Sequence, residues 1–251
     1  EDAKGSDIVV ITSGVARKPG QTRIDLAKIN VGIIKSIAPQ ITAVCPDSLY
    51  VIVANPVDVL TYTFHKCTNV PTNRIIGSGT SLDTGRLRTR LSEIYKVSPL
   101  QIEANVLGEH GDSMFVAWSM AKIAGIPIDE YKKVMTVENS NINDYDKEEV
   151  SEYIRKSGAT IIARKGATYN GVAAAVVNIC KNIYLGIDNI ICLSVLMQGE
   201  YGIKDVCISI PTLIGRDGIV STLTPTLSKE EQELLVNSAN AMRSVIDQIE
   251  L

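Results

Sequence analysis

The chain has 251 residues, 45% of them hydrophobic and 21% charged, which is enough chain for a large core or two domains. A net charge of −3 without a long basic run speaks against nucleic acid as a partner. The longest apolar run, Asn189 to Met197, has strand length and is too short to span a membrane.

No signal peptide is expected. Five widely spaced cysteines (Cys45, Cys67, Cys180, Cys192, Cys207) form no metal-ligand pattern, which points to reduced thiols in a cytoplasmic protein. Residues 8–12 are a continuous aliphatic run, the mark of a parallel strand buried on both faces. Val15 to Arg23 is a basic loop around Pro19-Gly20, of the kind that serves as a lid or binding loop. Apolar residues then recur at helical spacing from Ile24 to about Ile41, with Pro39 near the end. A second buried strand, Leu49 to Ala54, ends in Asn55-Pro56, a candidate cis bond or rigid turn, and a helix to about Cys67 follows. A third short strand covers 74–77.

Strand and helix alternating in this way define an open parallel sheet with helices on both faces. Ligands bind beyond the carboxyl ends of such strands, where Gly14, Asn55 and Ser78 fall. A helix from Ser81 to about Lys96 puts Asp83 and Arg86 on one face. Ile102, Val106 and Leu107 lead into Gly108-Glu109-His110-Gly111-Asp112-Ser113, a tight turn that holds one imidazole at its tip. His65, the only other histidine, falls on what reads as the polar side of a helix end.

Met114 to Ile123 reads as a strand and 136–147 as a loop. Helices follow over 147–164 and 168–186, and strands near 190–197 and 206–214. Ser228-Lys229-Glu230-Glu231 is a capping box that starts a final amphipathic helix. The second half lacks the alternating parallel pattern, so a domain boundary falls near 77–82.

A histidine turn, an Asp-x-x-Arg helix, a basic loop and a strand-end asparagine combine into a pattern that resembles the L-lactate/L-malate dehydrogenase family. The matching strings are Val10–Gly14, Arg17–Arg23, Asn55–Asp58, Gly77–Thr80, Leu82–Arg86, Gly108–Ser113 and Gly199–Val206, in family order over nearly the whole chain.

The resemblance implies an α/β chain: the C-terminal part of a Rossmann-type parallel sheet followed by an α+β substrate-binding domain. Residues 1–78 would be the dinucleotide-binding domain and 79–251 the catalytic domain. It implies NAD as cofactor, no metal, a small 2-keto or 2-hydroxy acid as substrate, and a homotetramer or homodimer. By resemblance His110 passes a proton to the substrate oxygen, and Asp83 fixes its tautomer and favours imidazolium. Arg86 grips the substrate carboxylate with its planar fork. Arg23 polarises the carbonyl as its loop closes. Arg17, Asn55 and Thr168 complete the substrate contacts, and Gly14, Val15, Ser36, Val53, Ala54, Asn55 and Ser78 the cofactor contacts.

Three departures stand out. The chain contains no opening G-x-G-x-x-G, so about one βαβαβ half, on the order of 70–80 residues, is expected to be missing from its start. Arg17 stands where the malate branch pairs an arginine with a second carboxylate, whereas Glu109, Asp112-Ser113, Trp118 and Thr168 look like the lactate branch. The lactate reading, reversible NADH-dependent reduction of pyruvate in fermentation, is preferred to the malate one. Arg88 matches the arginine of a sugar-bisphosphate activator site, but Glu103 replaces its histidine, so weak or absent activation is expected. A non-enzymatic relative is disfavoured because His110, Asp83, Arg86 and Arg23 are all intact. A zinc hydrolase is disfavoured because two distant histidines make no usual cluster.

Overall fold

The computed structural model describes residues 2–16, 22–135, 142, 144–166 and 168–249, with the side chain of Arg23 outside that set. Most of Arg17–Arg23, the expected binding loop, therefore lies outside the described residues, as do 136–141 and 143 of the Asn- and Asp-rich segment 136–147.

A six-stranded sheet organises the molecule. Its elements include β1 (Ile8–Ile11), α1 (Arg23–Val44), β2 (Leu49–Ile52), α2 (Val57–Cys67) and β3 (Ile75–Gly77). The three strands run parallel in order, Ile8 opposite Leu49 and Tyr50 opposite Ile75. Helix α3 (Ser81–Tyr95) leads into four two-residue strands: β4 (Ile102–Glu103), β5 (Val106–Leu107), β6 (Phe115–Val116) and β7 (Lys122–Ile123). After them come β8 (Ile126–Pro127), the single turn α4 (Ile128–Tyr131), α5 (Lys147–Lys165) and α6 (Asn170–Leu185). The chain then returns to the first sheet through β9 (Asn189–Gln198), β10 (Lys204–Gly215) and β11 (Gly218–Thr222), and finishes with α7 (Lys229–Asp247). The order β1-β2-β3-β9-β10-β11 joins the parallel and antiparallel parts at one pairing, Gly77 opposite Ser194.

Two hydrophobic clusters result. The larger one holds β1–β3, α1 and α2 together with β9, β10 and α7, so residues from both ends of the sequence share it. The smaller one joins α3 and α5 to the short strands, around Leu87, Leu91, Ile102 and Ile123.

Several local expectations differ from the structure. β1 stands first in the strand order of this chain, where Val10 is 38% exposed. Helix α1 carries Pro39 inside it and continues to Val44. Ala27, Val31, Ile34 and Ala38 anchor it to the core, and that packing outweighs the one backbone bond proline removes. The segment 114–123 is not one strand. Glu231 of α7 accepts the Ser119 N–H at 2.9 Å and also the Ser119 hydroxyl, which turns Trp118–Met120 into a helical turn between β6 and β7. Helix α6 begins at Asn170, two residues after Thr168. His65 is not on a polar face: its Nε2 is buried without a partner, and burial pushes the imidazole down to about 4. The Ser228 capping box forms as expected, and Thr22 with Asp25 makes a second one at the start of α1. Among the described residues no helix is long and apolar enough to cross a membrane.

Candidate active site

The carboxyl ends of β2 and β3 each feed a helix that carries a charged group in its first turn, Asp58 on α2 and Asp83 on α3. Between them lies the turn after β5. Gly108 has φ +88°, and a Cβ there would come within 2.7 Å of Ser238 Oγ, so only glycine fits. From that point three successive amides of the turn find partners on three different elements. The Gly108 N–H donates to Ser209 O of β10 at 2.9 Å, and the Ser209 N–H returns a bond at 2.8 Å. The Glu109 N–H donates to Ser238 Oγ of α7 at 2.7 Å, and the His110 N–H to Asp58 Oδ2 at 2.8 Å. The Glu109 carboxylate accepts from the Ser113 hydroxyl and N–H, closing the turn on itself.

This frame presents the imidazole to Asp83. His110 Nδ1 lies 2.5 Å from Asp83 Oδ2, and Arg86 Nη1 donates to Asp83 Oδ1 at 3.1 Å. Asp83 is buried, while the imidazole keeps 23% of its surface open to solvent. Burial raises the Asp83 carboxyl, but the imidazole and then the guanidinium outweigh it and hold it below the usual range. Burial lowers the His110 imidazole, and the charge and hydrogen bond of Asp83 more than reverse that. With Nδ1 committed to a carboxylate, Nε2 is the nitrogen left to hand a proton outward. Among the described residues Arg86 donates to no other oxygen, so the rest of its fork is available to a carboxylate ligand.

The strand-end rim is built differently. Asn30, 1% exposed on α1, accepts the Val15 N–H at 2.8 Å. Its amide group donates to Val15 O at 3.2 Å and to Asn55 O at 2.7 Å. The loops after β1 and β2 are thus tied together, and a Cβ on Gly14 would meet Ala54 Cβ at 3.1 Å. Gly14, Val15 and Asn55 face solvent, Val53 and Ala54 are half-buried, and the Asn55–Pro56 bond is cis. Ser78 follows β3 directly, its N–H donating to Ile52 O at 2.9 Å.

The structure therefore gathers His110, Asp83 and Arg86 into one cluster, while Asn55 and Ser78 follow the carboxyl ends of β2 and β3. It draws Gly14, Val15, Val53 and Ala54 into the adjoining rim. Ser36 is exposed on α1 six residues past Asn30, about 9 Å along the helix and away from that rim. Thr168 is half-buried just before α6, whose Gly171 would bring a Cβ within 3.0 Å of Leu82 at the start of α3. Arg88 points elsewhere: its guanidinium donates to Ala104 O at 3.0 Å and to Asn105 Oδ1 at 3.2 Å. Glu103, the residue expected to oppose a phosphate there, is exposed and pairs across the small sheet with Lys122. Arg17 and the Arg23 side chain lie outside the described residues. Asp58, Asn30, Ser209 and Ser238 are parts of the site that the sequence reading assigned no role.

An imidazole, a buried carboxylate and a guanidinium with a free fork, next to an exposed loop rim, make a site suited to proton transfer on a small carboxylate. The family profile for the lactate/malate dehydrogenase NAD binding domain matches residues 1–77, and the profile for the alpha/beta C-terminal domain of the same enzymes matches residues 80–251. The chain belongs to the lactate/malate dehydrogenase family, whose members are NAD-dependent.

It is 41% identical over 252 residues to an L-lactate dehydrogenase of Thermoanaerobacterium saccharolyticum, spanning all of this chain and 80% of that protein. It is also 41% identical over 251 residues to one of Acetivibrio thermocellus, covering 100% of the chain and 78% of that protein. Among solved structures, a lactate dehydrogenase from a Medee basin deep-sea metagenome library superposes with a TM-score of 0.93 at 38% identity, covering 100% of this chain and 79% of the other. A malate dehydrogenase from Archaeoglobus fulgidus in complex with NADH gives 0.85 at 38% identity, covering 99% and 78%.

Proposed function

We propose that the protein is an L-lactate dehydrogenase that reduces pyruvate to L-lactate and runs the reverse reaction, with NADH as the hydride source. The observation that carries this reading is the His110–Asp83–Arg86 cluster at the carboxyl edge of the sheet. The lactate assignment within the family rests on the 41–42% identity to proteins named L-lactate dehydrogenase.

The rim fits the nicotinamide half of the cofactor: Val15, Val53 and Ala54 offer apolar surface for a flat ring, and Asn55 and Ser78 offer polar groups for its amide. NADH, when bound, supplies the hydride. In the proposed reaction Arg86 pairs with the substrate carboxylate and orients the keto group. His110, held protonated by Asp83, gives its Nε2 proton to the carbonyl oxygen as negative charge builds there. Asn55 donates a hydrogen bond to the same substrate, Arg23 polarises the carbonyl from the loop, and Thr168 adds a polar wall. Ser36 belongs to the cofactor set by resemblance alone.

The remaining expectations join this reading. Residues 1–78 form the dinucleotide-binding domain and 79–251 the catalytic domain. Arg88, tied to Ala104 and Asn105, takes a sugar bisphosphate weakly or not at all. The enzyme works in the cytoplasm, where its five free cysteines stay reduced and lactate formation regenerates NAD in fermentation. It assembles as a homotetramer or homodimer through apolar surface such as Val177, Tyr184 and Ile190, each more than half exposed.

One observation favours a second reading, malate dehydrogenase: Arg17, which would pair with the second carboxylate of oxaloacetate. The test is kcat/KM for pyruvate and for oxaloacetate, in the parent and in Arg17→Gln. The lactate reading expects pyruvate to be preferred in both. Oxaloacetate preferred in the parent by orders of magnitude, with Arg17→Gln reversing the order, overturns it. Turnover of neither substrate removes both readings.

A further inference from the structure

His110 is flanked by two carboxylates, and the roles above use only one. Asp58, in the first turn of α2, is 2% exposed and accepts the main-chain N–H of His110 at 2.8 Å. Its other oxygen, Oδ1, is buried and faces the Ser194 hydroxyl, which is buried too. A carboxylate is a costly way to satisfy one amide in an apolar core, because serine or asparagine would do so without burying a charge. What a carboxylate adds is the charge itself, placed behind the turn that presents the imidazole.

We propose that Asp58 is a second positioning residue for His110: its hydrogen bond fixes the turn that presents the ring, and its negative charge holds the ring in the imidazolium form. The inference deepens the reading of His110 as proton donor and rests on it.

The surroundings support the assignment. From α3, Asp83 and Arg86 face the imidazole, the first favouring its protonated form and the second opposing it. From α2, Asp58 favours it. The turn's own Glu109 faces Asp58 as a like charge, and α7 presents Ser238, which is uncharged. From β10 the Cys207 thiol faces Asp58, and burial keeps it neutral. Burial pushes the Asp58 carboxyl up to about 6, while the Ser194 hydroxyl, the His110 amide and the imidazole pull it down. Above that value Asp58 is charged, so at neutral pH both carboxylates bear on the ring.

With only two histidines in the chain, the ring titration of His110 can be followed by NMR and assigned with His110→Asn. In Asp58→Asn, whose side-chain oxygen can still accept the amide bond, the His110 midpoint is expected to fall by on the order of one pH unit. The pH above which pyruvate reduction declines in kcat/KM is expected to fall with it. Ser238→Ala, which removes an uncharged acceptor from the next amide, leaves the ring midpoint in place. In the parent, the His110 ring signal carries a second, smaller inflection near pH 6 from Asp58, a readout that needs no variant. A ring midpoint that does not move in folded Asp58→Asn, or a parent titration with one inflection only, overturns the inference. A midpoint that falls in a protein that turns over neither pyruvate nor oxaloacetate supports the charge coupling and overturns the proposed function instead.

Discussion

The two sides of the proposed site are built on opposite plans. On the proton-handling side four elements converge on one turn: Asp58 from α2, Ser209 from β10 and Ser238 from α7 hold its backbone, and Asp83 from α3 holds the ring. On the strand-end side Gly14, Val15 and Asn55 face solvent, and one buried side chain, Asn30, binds the two loops together. Hydrogen bonds among the protein's own elements hold the first side in place. The second leaves apolar surface and backbone groups for a ligand to cover. Changes on the fixed side should therefore alter proton transfer with little effect on cofactor affinity, and changes on the open side should do the reverse.

The sharpest way to break that contrast is Asp83→Asn. It removes the charge that holds His110 in its protonated form, so kcat/KM for pyruvate should fall on the order of 10²–10⁴-fold. The Kd for NADH, read by fluorescence, should not change. The pH dependence has a definite sign. Because Asp83 raises the imidazole above its ordinary value, reduction, which needs the imidazolium, persists in the parent to higher pH and then declines. The reverse reaction, which needs neutral imidazole, rises over that same range. Asp83→Asn should move both limbs to lower pH. A large loss of NADH affinity in this variant would mean that the two sides are one unit.

Next in size is the stability of Asp58→Asn. A carboxyl raised from 3.8 to about 6 in the fold destabilises the folded state at neutral pH, and the penalty vanishes as pH falls below the unfolded value near 4. Removing the charge while keeping the amide acceptor should therefore stabilise the protein at pH 7–8 by about 3 kcal/mol at most, and hardly at all at pH 4. Denaturant midpoints at the two pH values measure it. A variant that gains stability while its imidazole loses its proton more easily would mark Asp58 as kept for function at the expense of the fold. Equal or lower stability at pH 8 would mean that the charge is already compensated in the core.

How these groups relate to the sequence depends on how far apart their partners lie. The Asp83–Arg86 pair and the Gly108–Ser113 turn are local, so spacing alone placed them. The capping box at Ser228 is local for the same reason. What spacing could not supply is the partner of a buried polar group from a distant element. Asn30 occupies the apolar stripe of α1 with Ala27, Val31 and Ile34, and Ser238 that of α7 with Leu235, Ala239 and Met242. A polar residue on a core-facing stripe signals an unsatisfied partner elsewhere, but finding Val15, Asn55 or Glu109 as that partner takes the fold. The same limit hid the return of β9 and β10 to the first sheet, since one antiparallel pairing at Gly77 and Ser194 leaves no periodicity to read.

The smallest expected effect belongs to the open side and tests it most directly. Asn30→Ala removes three hydrogen bonds, two to Val15 and one to Asn55 O. Those backbone groups sit at a solvent-facing rim, so water can replace much of what is lost. The cost in stability should stay near 1 kcal/mol rather than reach the sum expected for a dry core. The consequence for binding is larger than that figure suggests, because both walls of the proposed nicotinamide site hang from this one amide. Once the loops after β1 and β2 can move apart, ordering them falls to the cofactor, and the Kd for NADH should rise on the order of ten-fold. The ring midpoint of His110 should stay where it is, since no bond of Asn30 reaches the histidine turn. Asn30→Asp separates tether from charge: it keeps the acceptor for the Val15 N–H but loses the donors to Val15 O and Asn55 O. An NADH affinity that survives both substitutions would show that the rim holds its shape through packing of Gly14 on Ala54 alone.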